Sequence, residues 1–302
     1  MATPECPRCG VIYAKARVAA PPADRAEEPA PPDVAMFVGR PDVAPSAWTG
    51  ELDEARLELR VRTIAIPAAL LLMFLALTMS LPQFLIRLGL SMWLHELGHA
   101  TTAWLCGFPA FPGPWRTAIA EARSPFFTAL LSGALIGAAI RNWIVEARGV
   151  TVGCAMAVGL VAVGTFGLSA RTAQMLITFG GDGGGMVLGT LLMMTMYVNR
   201  DSDVHKGWLR WGFLVIGAAA FADPFSTWWA ARKDFERIPF GDIEGVGLSD
   251  PSKLTDDYGW NPGDLIHRYV ALGIACLVVL GIVYVVGVMR ARAAVTAAER
   301  GE

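Results

Sequence analysis

The feature that most constrains the fold of this chain is a series of long apolar runs with few or no charges. Hydrophobic residues make up 54% of the 302 positions and charged residues only 17%, outside the usual range of soluble domains. A helix needs about 20 apolar residues to cross the hydrocarbon core of a membrane. Six or seven runs qualify, at positions 63–86, 88–116, 124–140, 149–170, 172–199, 211–231 and 269–289. The sequence therefore predicts an all-α, polytopic transmembrane bundle, with the shortest run, 124–140, re-entrant or tilted.

Basic residues beside the first and last runs predict the orientation of the bundle. Arg56, Arg60 and Arg62 precede the first run, and Arg290 and Arg292 follow the last. Because cytoplasmic loops carry an excess of Lys and Arg, both ends are expected in the cytoplasm. Seven full spans would place the ends on opposite sides, so one segment must be re-entrant or miscounted. We expect an integral, multi-pass protein of a bacterial inner membrane with a cytoplasmic N-terminus.

Three regions differ in composition. Residues 1–17 carry a pair of cysteines, and residues 18–50 are rich in Pro and Ala, which is typical of a disordered linker. Residues 51–302 form the transmembrane domain. A polar loop at 232–264 interrupts this domain with eight acidic and four basic residues, and loops of this length are usually functional or disordered. The net charge of −2 says nothing about nucleic acid, but no basic patch appears, and we expect no nucleic-acid partner.

The N-terminal cysteines, Cys6 and Cys9, have the spacing of a zinc knuckle. A structural zinc site needs four ligands, and the soluble part of the chain holds no second pair. Either two chains share a structural metal, or the pair is a relic or a partner-binding tip. We expect no stable site in the monomer.

Two of the four histidines, His95 and His99, belong to one H-E-x-x-H motif inside an apolar run. On a helix, histidines four residues apart project from one face and can chelate a single zinc ion. Glu96 can reach a water molecule on that metal as the general base. Because polar groups are costly in a hydrocarbon-facing helix, these three residues are functional candidates.

A catalytic zinc site uses three protein ligands and leaves the fourth position to water, so a third ligand is needed. Asp182 is the leading candidate, because it lies among five glycines in an otherwise uncharged run. Those glycines allow another helix to come close, or allow a local unwinding that aims the carboxylate. Asp223, followed by the helix breaker Pro224, is the alternative ligand. A structural role for Asp182, either capping a broken helix or bonded to a neighbouring group, is also open.

The sequence H-E-L-G-H-A from His95, followed by A-W-L and a glycine, resembles the active-site helix of the site-2 protease family of intramembrane zinc metalloproteases. The sequence D-G-G from Asp182 resembles the second motif of that family. The resemblance covers 90–198 and implies that His95, His99 and Asp182 bind Zn2+. It also implies that Glu96 is the catalytic base. By the same resemblance, the substrate is a transmembrane or juxtamembrane segment of a membrane protein in the lipid bilayer.

The chain departs from the family pattern at one place. The second motif usually has an asparagine and a proline a few residues before the aspartate, where this chain has Gln174-Met175-Leu176-Ile177. No PDZ-like insertion is recognisable, which argues against the subgroup that gates its site with one. The alternative function is a non-catalytic membrane protein of the same fold that acts in binding, regulation or transport. The intact Glu96 argues against that alternative.

Overall fold

A computed structural model describes residues 50–300 apart from 200, 201, 203, 206, 207 and 244–246. The chain divides into two units, Met1–Thr49 and Gly50–Glu302, and the described residues belong to the second. The predicted linker and the Cys6/Cys9 pair therefore lie outside the described residues.

Helices dominate the described part of the chain. In chain order they are α1 (Gly50–Ala76), α2 (Ser80–Ile86), α3 (Met92–Leu105), α4 (Pro125–Ile144), α5 (Arg148–Ala162), α6 (Ala170–Met194), α7 (Leu209–Ala231), α8 (Asp250–Asp256) and α9 (Pro262–Arg300). π-Helical turns at Arg87–Ser91 and Val163–Gly167 precede α3 and extend α5. The strands form antiparallel hairpins, β1 (Ala110–Pro112) with β2 (Thr117–Ile119) and β3 (Asp242–Ile243) with β4 (Gly247–Leu248).

Five of the described helices, α1, α4, α5, α6 and α9, are long and apolar enough to cross a membrane. The prediction of an all-α transmembrane bundle is therefore confirmed. The count of five helices is lower than the six or seven apolar runs of the sequence. Helix α3 has only 14 residues, and α7, although 23 residues long, is not apolar enough to be counted. The run at 124–140 forms the 20-residue helix α4, so its length does not demand a re-entrant path.

The run at 88–116 does not form one long helix, because α3 ends within it. The C-cap of α3 is Cys106, and the next residue, Gly107, has a φ of 81°. A glycine in this left-handed conformation is a common helix stop. The chain then enters β1 and β2, which turns the second half of the run into a hairpin beside the motif helix.

Ion pairs join the two ends of the bundle. Nη2 of Arg56 in α1 lies 2.9 Å from Oε1 of Glu299 near the end of α9. The buried Glu58 carboxylate accepts from Nε of Arg62 at 2.7 Å and from Nη1 of Arg210 at 3.0 Å, which ties α1 to α7. The start of α1 and the end of α9 therefore lie close together, and the sidedness of the two ends stays a prediction.

Bare glycine backbone forms the contact between α3 and α6. A Cβ atom added to Gly98 of α3 would overlap the carbonyl oxygen of Gly180 and lie 2.8 Å from that of Gly181. A Cβ atom on Gly184 would lie 2.7 Å from the Cα atom of Gly98. Small residues let helix backbones approach closely in lipid, and here they bring α6 against the face of α3 that carries the histidines.

The polar loop at 232–264 folds over the start of α6. Nη2 of Arg171 donates to the carbonyl oxygen of Asp257 at 2.8 Å. The rings of Phe179 and Trp260 lie 5.7 Å apart, which fixes the far end of the loop on the same helix. These contacts carry α8 to the helices that hold the predicted site.

Candidate metal centre

Three acceptor atoms from two separate elements converge at the H-E-x-x-H helix. Nε2 of His95 and Nε2 of His99, one turn apart on α3, are separated by 3.2 Å. Oδ2 of Asp250, the first residue of α8, lies 3.2 Å from Nε2 of His95 and 2.9 Å from Nε2 of His99. Within residues 50–300 as described, these three side chains form the group that can hold a metal ion.

Hydrogen bonds at the far side of each ring fix where the ring hydrogens lie. Nδ1 of His99 is 2.7 Å from the carbonyl oxygen of Ile177, which only accepts, so this Nδ1 donates. Nδ1 of His95 is 2.9 Å from Oδ1 of Asp182, and an ionised carboxylate also only accepts. Both Nε2 atoms of the neutral rings therefore present lone pairs. Two lone pairs and the Asp250 oxygen, within 3.2 Å of one another, need a positive charge between them, either a proton on one Nε2 atom or a metal ion.

The spacing and chemistry of the three atoms fit a zinc ion. Zinc binds imidazole nitrogen and carboxylate oxygen at about 2.0–2.2 Å in tetrahedral geometry, which separates neighbouring ligand atoms by roughly 3.3 Å. The separations found here, 2.9, 3.2 and 3.2 Å, are close to that value. Three protein ligands also leave one tetrahedral position for water or substrate, as in catalytic zinc sites.

Asp182, predicted as the third ligand, lies beside this group but on the other side of His95. Its Oδ1 contacts Nδ1 of His95 rather than Nε2, and its Oδ2 accepts from the indole N–H of Trp228 at 2.7 Å. Helix α6 continues unbroken through the glycine-rich sequence, so the alternative of a broken helix capped by Asp182 is wrong. A ligating histidine commonly donates its second N–H to a carboxylate. The geometry therefore favours Asp182 as the orienting partner of His95, and ligation by Asp182 stays a prediction.

Asp250 is the acidic residue that the sequence analysis missed. It is one of eight acidic residues in the polar loop, and its neighbours Ser249 and Pro251 are typical of a helix start rather than of a metal site. Burial raises the pKa of the Asp250 carboxyl, but in the metal-free protein the positive charge and hydrogen bonds that the His99 and His95 imidazoles supply when protonated hold this pKa well below its usual range. The carboxyl group is therefore ionised, as a metal ligand must be.

Glu96, the predicted catalytic base, is buried and lines the same cavity as the two histidines. The hydroxyl of Thr117 on β2 lies 2.7 Å from Oε2 of Glu96 and 2.8 Å from its backbone carbonyl oxygen. Because the hydroxyl donates to the carboxylate, Oε2 is held in place and Oε1 remains to take up a proton. No pattern in the sequence singles out Thr117, because β2 is only three residues long.

Asp223, the alternative ligand, is engaged in an ion pair. Its carboxylate oxygens lie 3.2 and 3.3 Å from the guanidinium nitrogens of Arg87. Arg87 belongs to the π-helical turn before α3, so the pair holds α7 against the beginning of the motif helix. Among the described residues, Asp223 does not belong to the group formed by His95, His99 and Asp250. Ligation by Asp223 stays a prediction that the geometry does not favour.

The three acceptor atoms line a cavity of about 790 Å³, which is within the usual size range of ligand sites. Its walls come from α3, α6, α7, β2 and the polar loop. Apolar side chains form much of the wall, namely Leu88, Met92, Trp115, Ile119, Phe240 and Leu248. A Cβ atom on Gly181 would lie 2.6 Å from Nε2 of His99 and 2.7 Å from Nε2 of His95. Only glycine lets α6 pass this close to the two Nε2 atoms.

Comparisons with protein-family models, with curated proteins and with solved structures find no match to this chain. The candidate site therefore rests on its own geometry and on the resemblance of the two motifs.

Proposed function

We propose that the protein is a zinc-dependent endopeptidase that hydrolyses peptide bonds in or beside transmembrane segments of other membrane proteins. In this proposal His95, His99 and Asp250 are the zinc ligands, and Glu96 is the catalytic base. The supporting observation is the convergence of two imidazole nitrogens and one carboxylate oxygen in a cavity that also contains Glu96. The H-E-x-x-H arrangement of these residues is the one that zinc peptidases use.

Bound zinc would supply Lewis acidity, which acidifies water and polarises a carbonyl group. The side chains of the protein supply the proton transfers and the positioning. Oε1 of Glu96 takes a proton from the attacking water and later delivers it to the leaving amine. Thr117 holds the Glu96 carboxylate through Oε2. Hydrogen bonds at Nδ1 keep the His95 and His99 rings turned so that both Nε2 atoms face the metal.

The surroundings of the cavity suit a peptide segment from a membrane. Helix α3 lies among helices that are long and apolar enough to cross a bilayer, and apolar side chains form much of the cavity wall. A helical substrate engages its carbonyl groups in intrahelical hydrogen bonds. The substrate must therefore unwind locally before Glu96 and the metal can reach a peptide bond. Membrane proteins whose spans unwind at the level of the cavity are the proposed partners, together with the lipid bilayer.

Metal analysis of the purified full-length protein tests the site. With Cys6 and Cys9 replaced by serine, we expect about one zinc per chain. Asp250→Ala should lower the occupancy, and Asp256→Ala, in the same helix, should not. Absence of stoichiometric zinc from the cysteine-substituted protein overturns the proposal. Occupancy lost in Asp182→Ala but kept in Asp250→Ala assigns the third position to Asp182 instead.

Cleavage in proteoliposomes tests the reaction. The protein is reconstituted with a panel of single-span membrane proteins, and new chain termini are identified by mass spectrometry. We expect cleavage in or beside the spans that is lost on chelation, restored by zinc and absent in Glu96→Gln. Bound zinc with no Glu96-dependent cleavage of any panel member favours the alternative, a non-catalytic metal-binding membrane protein.

A further inference from the structure

Asp182 is held by a residue that takes no part in the proposed reaction. The indole N–H of Trp228 on α7 donates to Oδ2 of Asp182 at 2.7 Å, while Oδ1 meets Nδ1 of His95 at 2.9 Å. One line of hydrogen bonds thus runs from α7 through α6 to α3. It ends on the ring whose other nitrogen faces the metal position.

Aromatic stacking fixes the Trp228 indole. Trp228 is fully buried, and its ring lies 4.2 Å from that of Tyr269, with 18° between the planes. Tyr269 in turn stacks on Phe179 at 4.4 Å, and its hydroxyl donates to the carbonyl oxygen of Phe179 at 3.3 Å. The indole is therefore held in one orientation, with its N–H aimed at the Asp182 carboxylate.

The chemistry of the indole sets the direction of the hydrogen bonds. An indole N–H donates and cannot accept, so the atom of residue 182 that faces Trp228 must be an acceptor. An aspartate presents a second acceptor oxygen to His95. Nδ1 of His95 therefore carries the ring hydrogen, and Nε2 keeps its lone pair for the metal.

We propose that Trp228 is a positioning residue of the metal centre, whose indole N–H fixes the Asp182 carboxylate so that His95 offers the lone pair of Nε2 to the metal. This inference rests on the proposed function, because it needs a metal at His95 and His99. Outer hydrogen-bond partners of ligating histidines are typically worth about 10- to 100-fold in metal affinity. Because Trp228 acts through Asp182, Trp228→Phe, which keeps an aromatic ring and removes the donor, should weaken metal binding by the lower end of that range, about 10-fold.

Asp182→Asn provides a readout that a merely structural role of Trp228 would not move. While Trp228 is present, the amide oxygen must face the indole N–H, and the amide NH2 group must face Nδ1 of His95. The ring hydrogen of His95 is then on Nε2, where it opposes metal binding. In the double variant with Trp228→Phe, the amide can turn round and its oxygen can accept from Nδ1. We therefore expect the double variant to bind metal more tightly than Asp182→Asn alone.

The experiment is a titration of the full-length protein, with Cys6 and Cys9 replaced by serine, with Zn2+ and with Co2+. Co2+ adds visible absorption bands that report the ligand set. Trp229→Phe is the matched control, because Trp229 is the next residue, is 42% exposed and stacks on the guanidinium of Arg232. Melting temperatures of the metal-free proteins show whether each variant folds.

Weaker binding in Trp228→Phe than in Trp229→Phe, with the double variant tighter than Asp182→Asn, supports the inference. Equal affinities of the two tryptophan variants, or a double variant weaker than Asp182→Asn, overturn it. Failure of the parent protein to bind either metal overturns the proposed function and this inference together, whereas equal affinities overturn the inference alone.

A second measurement decides the matter if Trp228→Phe does not fold. The chain has four histidines, so 15N NMR can locate the ring hydrogen of His95. A hydrogen on Nδ1 in the wild type and on Nε2 in Asp182→Asn supports the inference. The same nitrogen protonated in both proteins overturns it.

Discussion

Two apolar parts of this bundle are built in opposite ways. In the most apolar stretch of α6, 44% is buried within the protein, and the helix packs on α3 through bare glycine backbone. In the most apolar stretch of α4, which forms a hairpin with α5, only 6% is buried. Cβ atoms added at Gly133 or Gly137 of α4 would meet nothing within 4 Å, whereas one at Gly98 of α3 would overlap the backbone of α6.

The difference shows that neither hydropathy nor glycine content alone marks a functional helix. Lipid tails are as apolar as leucine, so an exposed helix such as α4 needs no burial within the protein. Close backbone contact and buried polar groups occur together where α3, α6 and α7 meet, and we call these three helices the three-helix core. We expect substitutions in the three-helix core to be costly and the same chemical changes in the α4–α5 hairpin to be tolerated.

The largest difference in cleavage rate should be between substitutions of two glutamates. Glu96→Gln in the three-helix core keeps the size of the side chain but removes the basic carboxylate. A general base is commonly worth about two to four orders of magnitude in rate, and the cleavage rate in proteoliposomes should fall by that factor with zinc still bound. Glu146→Gln, at the turn of the α4–α5 hairpin, should leave the rate unchanged. Wild-type cleavage by zinc-loaded Glu96→Gln contradicts the mechanism.

A pair of glycine substitutions compares the packing of the two regions. Gly98→Ala places a methyl group 2.8 Å from the carbonyl oxygen of Gly181 and closer still to that of Gly180. Overpacking of this kind costs about 1–3 kcal/mol and more where backbone must move, so the free energy of unfolding in detergent and the zinc occupancy should both fall.

Gly137→Ala is the control for Gly98→Ala, because its added methyl group meets open space. Alanine favours a helix over glycine by about 0.5–1 kcal/mol, so stability should stay level or rise slightly. Equal losses of unfolding free energy in Gly98→Ala and Gly137→Ala would contradict the difference in packing between the two regions.

Substitution of two threonines tests whether the Thr117 hydroxyl affects the reaction by holding Glu96 or only stabilises the fold. Thr117→Val removes the donor that holds Oε2 of Glu96. The loss of one such hydrogen bond is worth about 1.4 kcal/mol, or tenfold, and should appear in kcat with zinc occupancy unchanged. Thr151→Val in α5, whose hydroxyl bonds to backbone carbonyls of the hairpin, is the control. A parallel loss of zinc in Thr117→Val indicates a structural role instead.

The smallest effect should be a gain in the α4–α5 hairpin. Glu146 has a φ of 59° and is the non-glycine residue with a left-handed backbone among the described positions. This conformation costs an L-residue roughly 1–2 kcal/mol that glycine avoids. Glu146→Gly should therefore raise the melting temperature slightly and leave zinc affinity unchanged. A fall in melting temperature indicates that the Glu146 side chain stabilises the turn.

The sequence predicted what local patterns determine. Apolar runs predicted most of the membrane helices, because hydropathy over about 20 residues is a local property. The spacing of His95 and His99 predicted a shared face, and the structure brings their Nε2 atoms to within 3.2 Å. The helix stop at Gly107 was also present in the sequence, but the length of the apolar run obscured it.

The rest of the site depends on tertiary packing. Asp182 was predicted to share a metal with His95, and the structure brings its carboxylate to Nδ1 of His95 and to the indole N–H of Trp228, a residue with no recognisable pattern around it. Asp250 reaches the histidines only because the polar loop folds over α6, and the loop offers seven other acidic residues of equal standing. No periodicity or spacing in one sequence distinguishes such a residue from its neighbours.

The position of Asp250 late in the chain has a consequence for biosynthesis. The ribosome completes α3 long before it reaches position 250, and α8 meets the histidines only after the loop has folded back over α6. A nascent chain inserted in the membrane therefore holds two imidazoles without their carboxylate. Under the proposed function, hydrolytic competence belongs only to the finished protein, because a product truncated before position 250 lacks the third proposed ligand.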